Sequence, residues 1–455
     1  MQRQLEPRLP VKARLAERPL SIGKVARTAR RNLLEIIPEL ATWQKMVSGR
    51  LVKRWHMVMD PGGLRRILRD RVDAYPKAAI TKSILRPAIG ESLFIAEGGH
   101  WQWQRRAAAS AFATRSIRNL APVMAAATQT LIDRVRRSAP GPTDLCAEVT
   151  AATFEVISDV TFAEGTGMER QLVHSAIDSF VNNAARASLL DVIGAPEWIP
   201  RMNRLFTHPD VREMKRIATQ VIEERRVSGR CVADLHDLLA SGVDPETGRR
   251  MNPIELRDNL LTFIVAGHET TALALSWSLY LLAFDSCAQD RVRQEAEAAL
   301  AGDIATPRDL EHLPFTRQVV REALRLYPPA ALLLRTAMDS DVIGGREVRP
   351  GDTMLLPIYA LHRNHCFWKN PDTFCPDRFS DPNIIHSHAY LPFGAGPRAC
   401  IGSGFAMQEA VIMLSALIAE FHFSPVADRQ PEPVMILTLR PKGGVWLTVQ
   451  PVQRS

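Results

Sequence analysis

The sequence predicts a mainly α protein with small β-sheets, built as a single large helical domain with a minor β-rich lobe. Three observations predict it. From about residue 100 to 330, apolar residues recur at helical spacing, with breaks at Gly and Pro. Beyond Pro328 the pattern changes to short apolar runs punctuated by Gly and Pro, as strands and turns require. No long polar linker divides the 455 residues, 46% of them hydrophobic, so one core is expected although length alone suggests two or three domains.

The chain starts basic. Residues 1–31 hold nine Lys or Arg against two acids and so carry +7 of a formal net charge of +8. The remainder is close to neutral and no basic face recurs, which argues against a nucleic-acid partner. Residues 1–35 are expected as a solvated, partly frayed arm ahead of one domain over 36–455. An Arg-rich, acid-poor start also suits a transit peptide or contact with an anionic surface. Neither a long apolar segment nor a secretory pattern occurs near the start. The expectation is a cytoplasmic protein without a membrane anchor. The six cysteines form no CxxC and read as reduced core residues, Cys400 excepted.

Asn252, Pro253 and Glu255 make a helix start, with a polar N-cap, Pro at N1 and an acid at N3. From there the chain runs without Pro to about Phe284, a helix roughly 50 Å long. Both flanks are apolar, which places it in the core. Its middle, Ala266-Gly267-His268-Glu269-Thr270-Thr271, is polar and costly to bury, and such a local violation marks function. Thr270 can bond the Ala266 carbonyl and open the helix locally. Glu322 and Arg325 share a face of a helix that stops before Pro328. Strands are expected within 341–348 and 353–359, a strand-like segment over 389–393, a helix over about 404–421, and a strand pair around 442–444.

The segment Phe393-Gly394-Ala395-Gly396-Pro397-Arg398-Ala399-Cys400-Ile401-Gly402 carries the chemistry. Its glycines allow a tight turn and close approach to a flat ligand. Cys400 lies just ahead of a helix, where backbone N–H groups favour an anionic sulfur. Arg398 offers a fixed cation to a carboxylate, and Phe393 is placed to shield the sulfur. Residues 394–399 also fit a dinucleotide-binding GxGxxG/A turn, but too little chain follows for a nucleotide-binding half. His362, His365, Cys366 and Cys375 are zinc-ligand types, although adjacent His365 and Cys366 make an awkward chelate.

The thiolate segment resembles, in full, the FxxGxRxCxG haem-binding signature of the cytochrome P450 family. That resemblance implies heme b (iron protoporphyrin IX) lying under the long central helix, with Cys400 as the axial iron ligand and Arg398 on a propionate. Gly396 and Gly402 shape the turn. Residues 266–271 resemble the family's oxygen-activation motif [AG]Gx[DE]T[TS]. In it Ala266 and Gly267 leave room for dioxygen, Thr270 passes protons to it and Glu269 relays them from water. Trp101 and Arg105 resemble the WxxxR pair behind the haem, and Arg335 sits where many members place another propionate partner. Glu322, Arg325 and the Arg378 of Pro376-Asp377-Arg378-Phe379 correspond to a structural network with no chemical role.

The resemblance implies a monooxygenase that inserts one atom of O2 into a C–H or C=C bond, acting as a monomer. Electrons would come from a separate ferredoxin or flavodoxin with an NAD(P)H-dependent reductase. Arg105, Arg106, Arg115 and Arg118 are candidates to steer an acidic partner. The alternatives are a peroxide-using peroxygenase, a haem isomerase, or a Cys-ligated haem sensor. The intact Glu269–Thr270 pair argues against all three. The candidate pocket residues Ile84, Leu85, Phe94, Phe180, Leu189, Leu190, Trp198, Leu332, Leu333 and Ile436 favour a hydrophobic ligand. Arg86 or Arg186 would be the anchor if the ligand carried a carboxylate.

Overall fold

A computed structural model describes residues 10–161, 172, 175–176 and 208–452, apart from Pro19, Leu51, Arg230, Ala233, 301–303, Ala305, 307–308, Pro382 and Ile384. The expected pocket residues Phe180, Leu189, Leu190 and Trp198, and the candidate anchor Arg186, lie outside the described residues.

The central helix spans Pro253–Phe284. Asn252 accepts from the backbone N–H groups of Ile254 and Glu255 while Glu255 reaches back to the Asn252 N–H, a full capping box. Its second half is apolar on every side, with Trp277, Leu279 and Leu282 fully buried. It packs on the helices Leu145–Thr161, Pro314–Leu326 and Ser403–Glu420. The last of these is long and apolar enough to cross a membrane, yet 67% of it is buried inside the protein, as a core helix would be.

The strands form the minor lobe. One sheet orders Met46–Arg50, Arg54–Val58, Thr353–Leu356 and Leu333–Thr336, with a parallel contact only between its two inner strands. The strand expected over 353–359 ends at Leu356, because Pro357 has no N–H to donate, and the helical turn Ile358–Leu361 replaces its remainder. The 389–393 segment is not a strand. Its Leu391 N–H donates to His362 Nε2 at 2.8 Å instead of to a ladder, so no strand–turn–helix unit for a dinucleotide exists there. The strands flanking 442–444 do not pair with each other. Leu439–Lys442 joins Glu432–Met435, while Trp446–Pro451 lies between Gly141–Asp144 and Phe421–Pro425.

From Pro10 on, the basic segment is docked and not frayed. Tyr280 and Tyr359 hydroxyls accept from the N–H groups of Val11 and Ala13, and the Tyr327 hydroxyl donates to the Val11 carbonyl at 2.6 Å. Tyr327 itself stacks on Trp277 with ring centroids 3.9 Å apart. Residues 22–31 form a helix whose exposed side carries the charge.

Candidate active site

A cavity of about 480 Å³ lies between the central helix and the turn before Ser403–Glu420. Ala266, Gly267, Thr270 and Thr271 line one wall, and Phe393, Arg398, Cys400 and Gly402 the other. Apolar side chains from Ile84, Leu85, Phe94, Leu332, Leu333 and Ile436 close the sides.

The turn is held by its backbone. The Cys400 N–H donates to the Phe393 carbonyl at 2.8 Å, and the Gly402 carbonyl starts the following helix by accepting from Ala406. Gly396 sits at φ 69°, and a Cβ there would come within 2.1 Å of the Leu68 carbonyl oxygen, so only glycine fits. Gly402 has no such constraint, since its nearest neighbour to a Cβ is Phe112 at 3.8 Å. Cys400 opens into the cavity and is crowded by protein elsewhere. Burial pushes its thiol pKa up. A hydrogen bond from the Gly402 backbone and the Arg105 charge pull the other way.

Four cations surround one end of the cavity: Lys77, Arg105, Arg335 and Arg398. Arg398 lies over the Trp101 ring, 4.4 Å from its centroid, donates to the Ala96 carbonyl at 3.0 Å and pairs with Glu97. Arg335 is buried, and its Nε has no hydrogen-bond partner. Burial, followed by the Arg398 and Arg335 charges, lowers Lys77 to about 7, and burial lowers Arg335 to about 10. Glu97, with Asp73 behind Arg398, does not balance four cations of which Arg335 is buried and the other three half-buried. A flat apolar ring carrying two carboxylates would fill the apolar slot, pair the cations and satisfy the orphaned Arg335 Nε. The residues therefore fit heme b.

Opposite the thiol, the Thr270 hydroxyl donates to the Ala266 carbonyl at 2.8 Å, as expected, and the two residues face the cavity. Gly267 is not sterically required there, because a Cβ would meet Ile157 at an ordinary 3.5 Å. Glu269 is buried outside the cavity lining and pairs with Arg440. His268 points away from the cavity, with Nδ1 2.9 Å from the Ile264 carbonyl, and its own carbonyl accepts from the Thr153 hydroxyl.

The buried network is complete. Arg325 donates to both Glu322 oxygens at 2.7 and 2.8 Å and to the carbonyls of His362, Pro371 and Thr373. Glu322 also accepts from Arg378 and from the Cys375 N–H. These bonds pin the chain that leads into the thiol turn. The zinc-type residues do not converge: His362 bonds Leu391, His365 stacks on Trp43, and Cys366 donates to the Trp43 carbonyl.

Two other expectations need correction. Arg86 pairs with Glu91 in a solvent-exposed bridge outside the cavity lining, so it is no anchor. Of the four steering candidates, Arg105 faces the cavity and Arg106 is tied to the buried Asp244 at 2.6 Å, which leaves Arg115 and Arg118 exposed. Four contributors were missed. Glu97, four residues before Trp101, was passed over, while Lys77 and Arg440 stand far in sequence from the motifs and carried no local signal. Glu409 did, as the only charged residue between Ser403 and Ala419. It is fully enclosed, accepts from the Thr271 hydroxyl, and burial pushes its carboxyl up to about 8.

The cytochrome P450 family model matches residues 45–448, a span that includes the central helix, the Glu322–Arg325–Arg378 network and the thiol turn. The chain belongs to the cytochrome P450 family. It is similar to a putative cytochrome P450 132 of Mycobacterium tuberculosis, at 32% identity over 79% of this chain and 80% of that one. It is also similar to a cytokinin hydroxylase of Arabidopsis thaliana, at 28% identity over 92% and 84%. Cyclooctatin synthase of Streptomyces melanosporofaciens is 30% identical over 81% of each. Among solved structures, the cytochrome P450DA heme domain superposes with a TM-score of 0.79 at 26% identity, over 90% of each chain. The protein is thus a cytochrome P450 monooxygenase with heme b as its cofactor, and it uses O2 and redox partners.

Proposed function

We propose that this P450 hydroxylates or epoxidises an apolar small molecule, with Cys400 as the iron's thiolate ligand. The observation that carries this reading is that the Cys400 thiol and the Ala266, Gly267 and Thr270 stretch of the unbroken central helix line one apolar cavity. When bound, heme b supplies oxygen activation: one atom of O2 enters the substrate and the other leaves as water, consuming two electrons and two protons.

The chain's own residues do the rest. Arg398, Arg105, Arg335 and Lys77 hold the carboxylates of the cofactor, and Trp101 backs Arg398. Phe393 and the side chains around it exclude water from the sulfur. Thr270 holds a hydroxyl proton at the cavity wall, and Glu269 replenishes it from solvent. Glu322, Arg325 and Arg378 only position the turn. The apolar lining favours a hydrophobic ligand. A separate acidic ferredoxin or flavodoxin, served by an NAD(P)H-dependent reductase, would meet the exposed Arg115 and Arg118. We read the protein as a monomer of the cytoplasm.

The test is spectral. The ferrous carbon monoxide adduct should carry the red-shifted Soret band of thiolate ligation, and Cys400→Ser should lose it. Retention of that band in the serine variant would reject Cys400 as ligand. Turnover supported by hydrogen peroxide but not by surrogate redox partners would favour a peroxygenase.

A further inference from the structure

Glu269 does not stand free beside Thr270. Its carboxylate pairs with Arg440, whose side chain is 31% exposed while that of Glu269 is 10% exposed. Arg440 lies on the strand Leu439–Lys442, where it sits opposite Val434. The connection between this strand and its partner, Glu432–Met435, is residues 436–438, and Met435, Ile436 and Leu437 line the cavity. Thr438, at the end of that turn, places its hydroxyl 3.4 Å from the Arg440 Nε. The hairpin is anchored just behind its turn, at the Leu439↔Met435 pair: the Leu439 N–H donates to the Pro329 carbonyl, and the Leu439 carbonyl accepts from the Trp277 indole on the central helix. One short hairpin therefore touches the occupant of the cavity with its tip and the carboxylate beside Thr270 with its cation.

We propose that Arg440 is a positioning residue that couples cavity occupancy to Glu269. With the cavity open, the ion pair holds the Glu269 carboxylate toward the protein edge. A ligand pressing on Ile436 and Leu437 tilts the hairpin about the Leu439 anchor, moves Arg440 on the far side of that pivot and weakens the pair, which frees Glu269 to turn toward Thr270. A ligand can do this only at the expense of its own affinity, because it must break the pair in order to bind. The inference rests on the role proposed above for Glu269.

The test uses haem-loaded protein and two iron-binding probes of different size, imidazole and the bulky triaryl azole clotrimazole, titrated spectroscopically. Arg440→Gln and Glu269→Gln should each bind clotrimazole about threefold to tenfold tighter than the native protein, with the double variant no tighter than either. Imidazole, too small to reach the hairpin, should bind all four proteins alike, and Arg440→Lys should restore the native clotrimazole affinity. Equal clotrimazole affinity across the four proteins, or effects that add in the double variant, would overturn the coupling. A separate measurement tests the underlying role: if Glu269→Gln leaves the solvent isotope effect on turnover unchanged, the proton relay fails, whatever the azoles show.

Discussion

Glu409 is the group whose removal should change the protein most measurably with pH. Burial lifts its carboxyl from an ordinary value of 4.5 to about 8. Between those values the folded protein keeps a proton that the unfolded chain has released, so stability is full below the lower value and falls as pH rises through the upper one. The slope reaches about 1.4 kcal/mol per pH unit, so the loss from about pH 5.5 to about pH 7.5 is at most about 2.7 kcal/mol. Structural relaxation around a forming charge lowers that, which leaves about 1–3 kcal/mol. For a chain of this size, with an unfolding entropy near 1 kcal/mol per kelvin, the shift in Tm is about 1–3 °C. Glu409→Gln keeps the shape and an acceptor for Thr271 but cannot ionise. Urea midpoints of native and variant protein at the two pH values, at matched haem occupancy, give the comparison. Other groups titrate in both proteins, so the decisive quantity is the difference between them. The variant should lose less stability than the native protein as pH rises, and an identical pH dependence would refute a neutral buried Glu409.

Gly396→Ala should abolish haem incorporation, because its Cβ would fall 2.1 Å from a backbone oxygen, whereas Gly267→Ala, at 3.5 Å from a side chain, should load haem normally. Absorbance at the Soret band relative to protein concentration reads both, and equal loading of the two variants would refute the steric reading. Glu322→Ala strands the fully buried Arg325 and should cost about 3–5 kcal/mol, measured by urea unfolding; native-like stability would contradict the network's role. Thr270→Ala should cut product formed per NAD(P)H consumed by about tenfold or more while NAD(P)H use continues, and Thr270→Ser should retain coupling.

Local rules made much of this protein legible. The cap at Asn252 and the polar break at 266–271 are dictated by neighbours in sequence, and both stand where the pattern placed them. The Glu322–Arg325 pair needs only helical spacing to form, although its burial depends on carbonyls some 40 residues away. Strand pairing was less readable. The two strands around 442–444 look like a hairpin, but each finds a better partner elsewhere, a choice made by packing rather than by the turn. The cations at the cavity end were half visible. Arg398 and Arg105 fell within recognisable motifs and Glu97 stands four residues before Trp101, while Arg335 was placed by position alone and Lys77 is brought there by the fold.

The tether of the N-terminal segment sets an order of events during synthesis. Val11 waits for hydroxyls 269 and 316 positions further along the chain. The Val11 stretch leaves the ribosome long before those partners and finds its seat only after Tyr280 and Tyr327 have emerged to join the aromatic cluster with Trp277. Nascent chains stalled before that point leave the Val11–Ala13 stretch unlatched, and a protease should clip it there far more readily than in the finished protein.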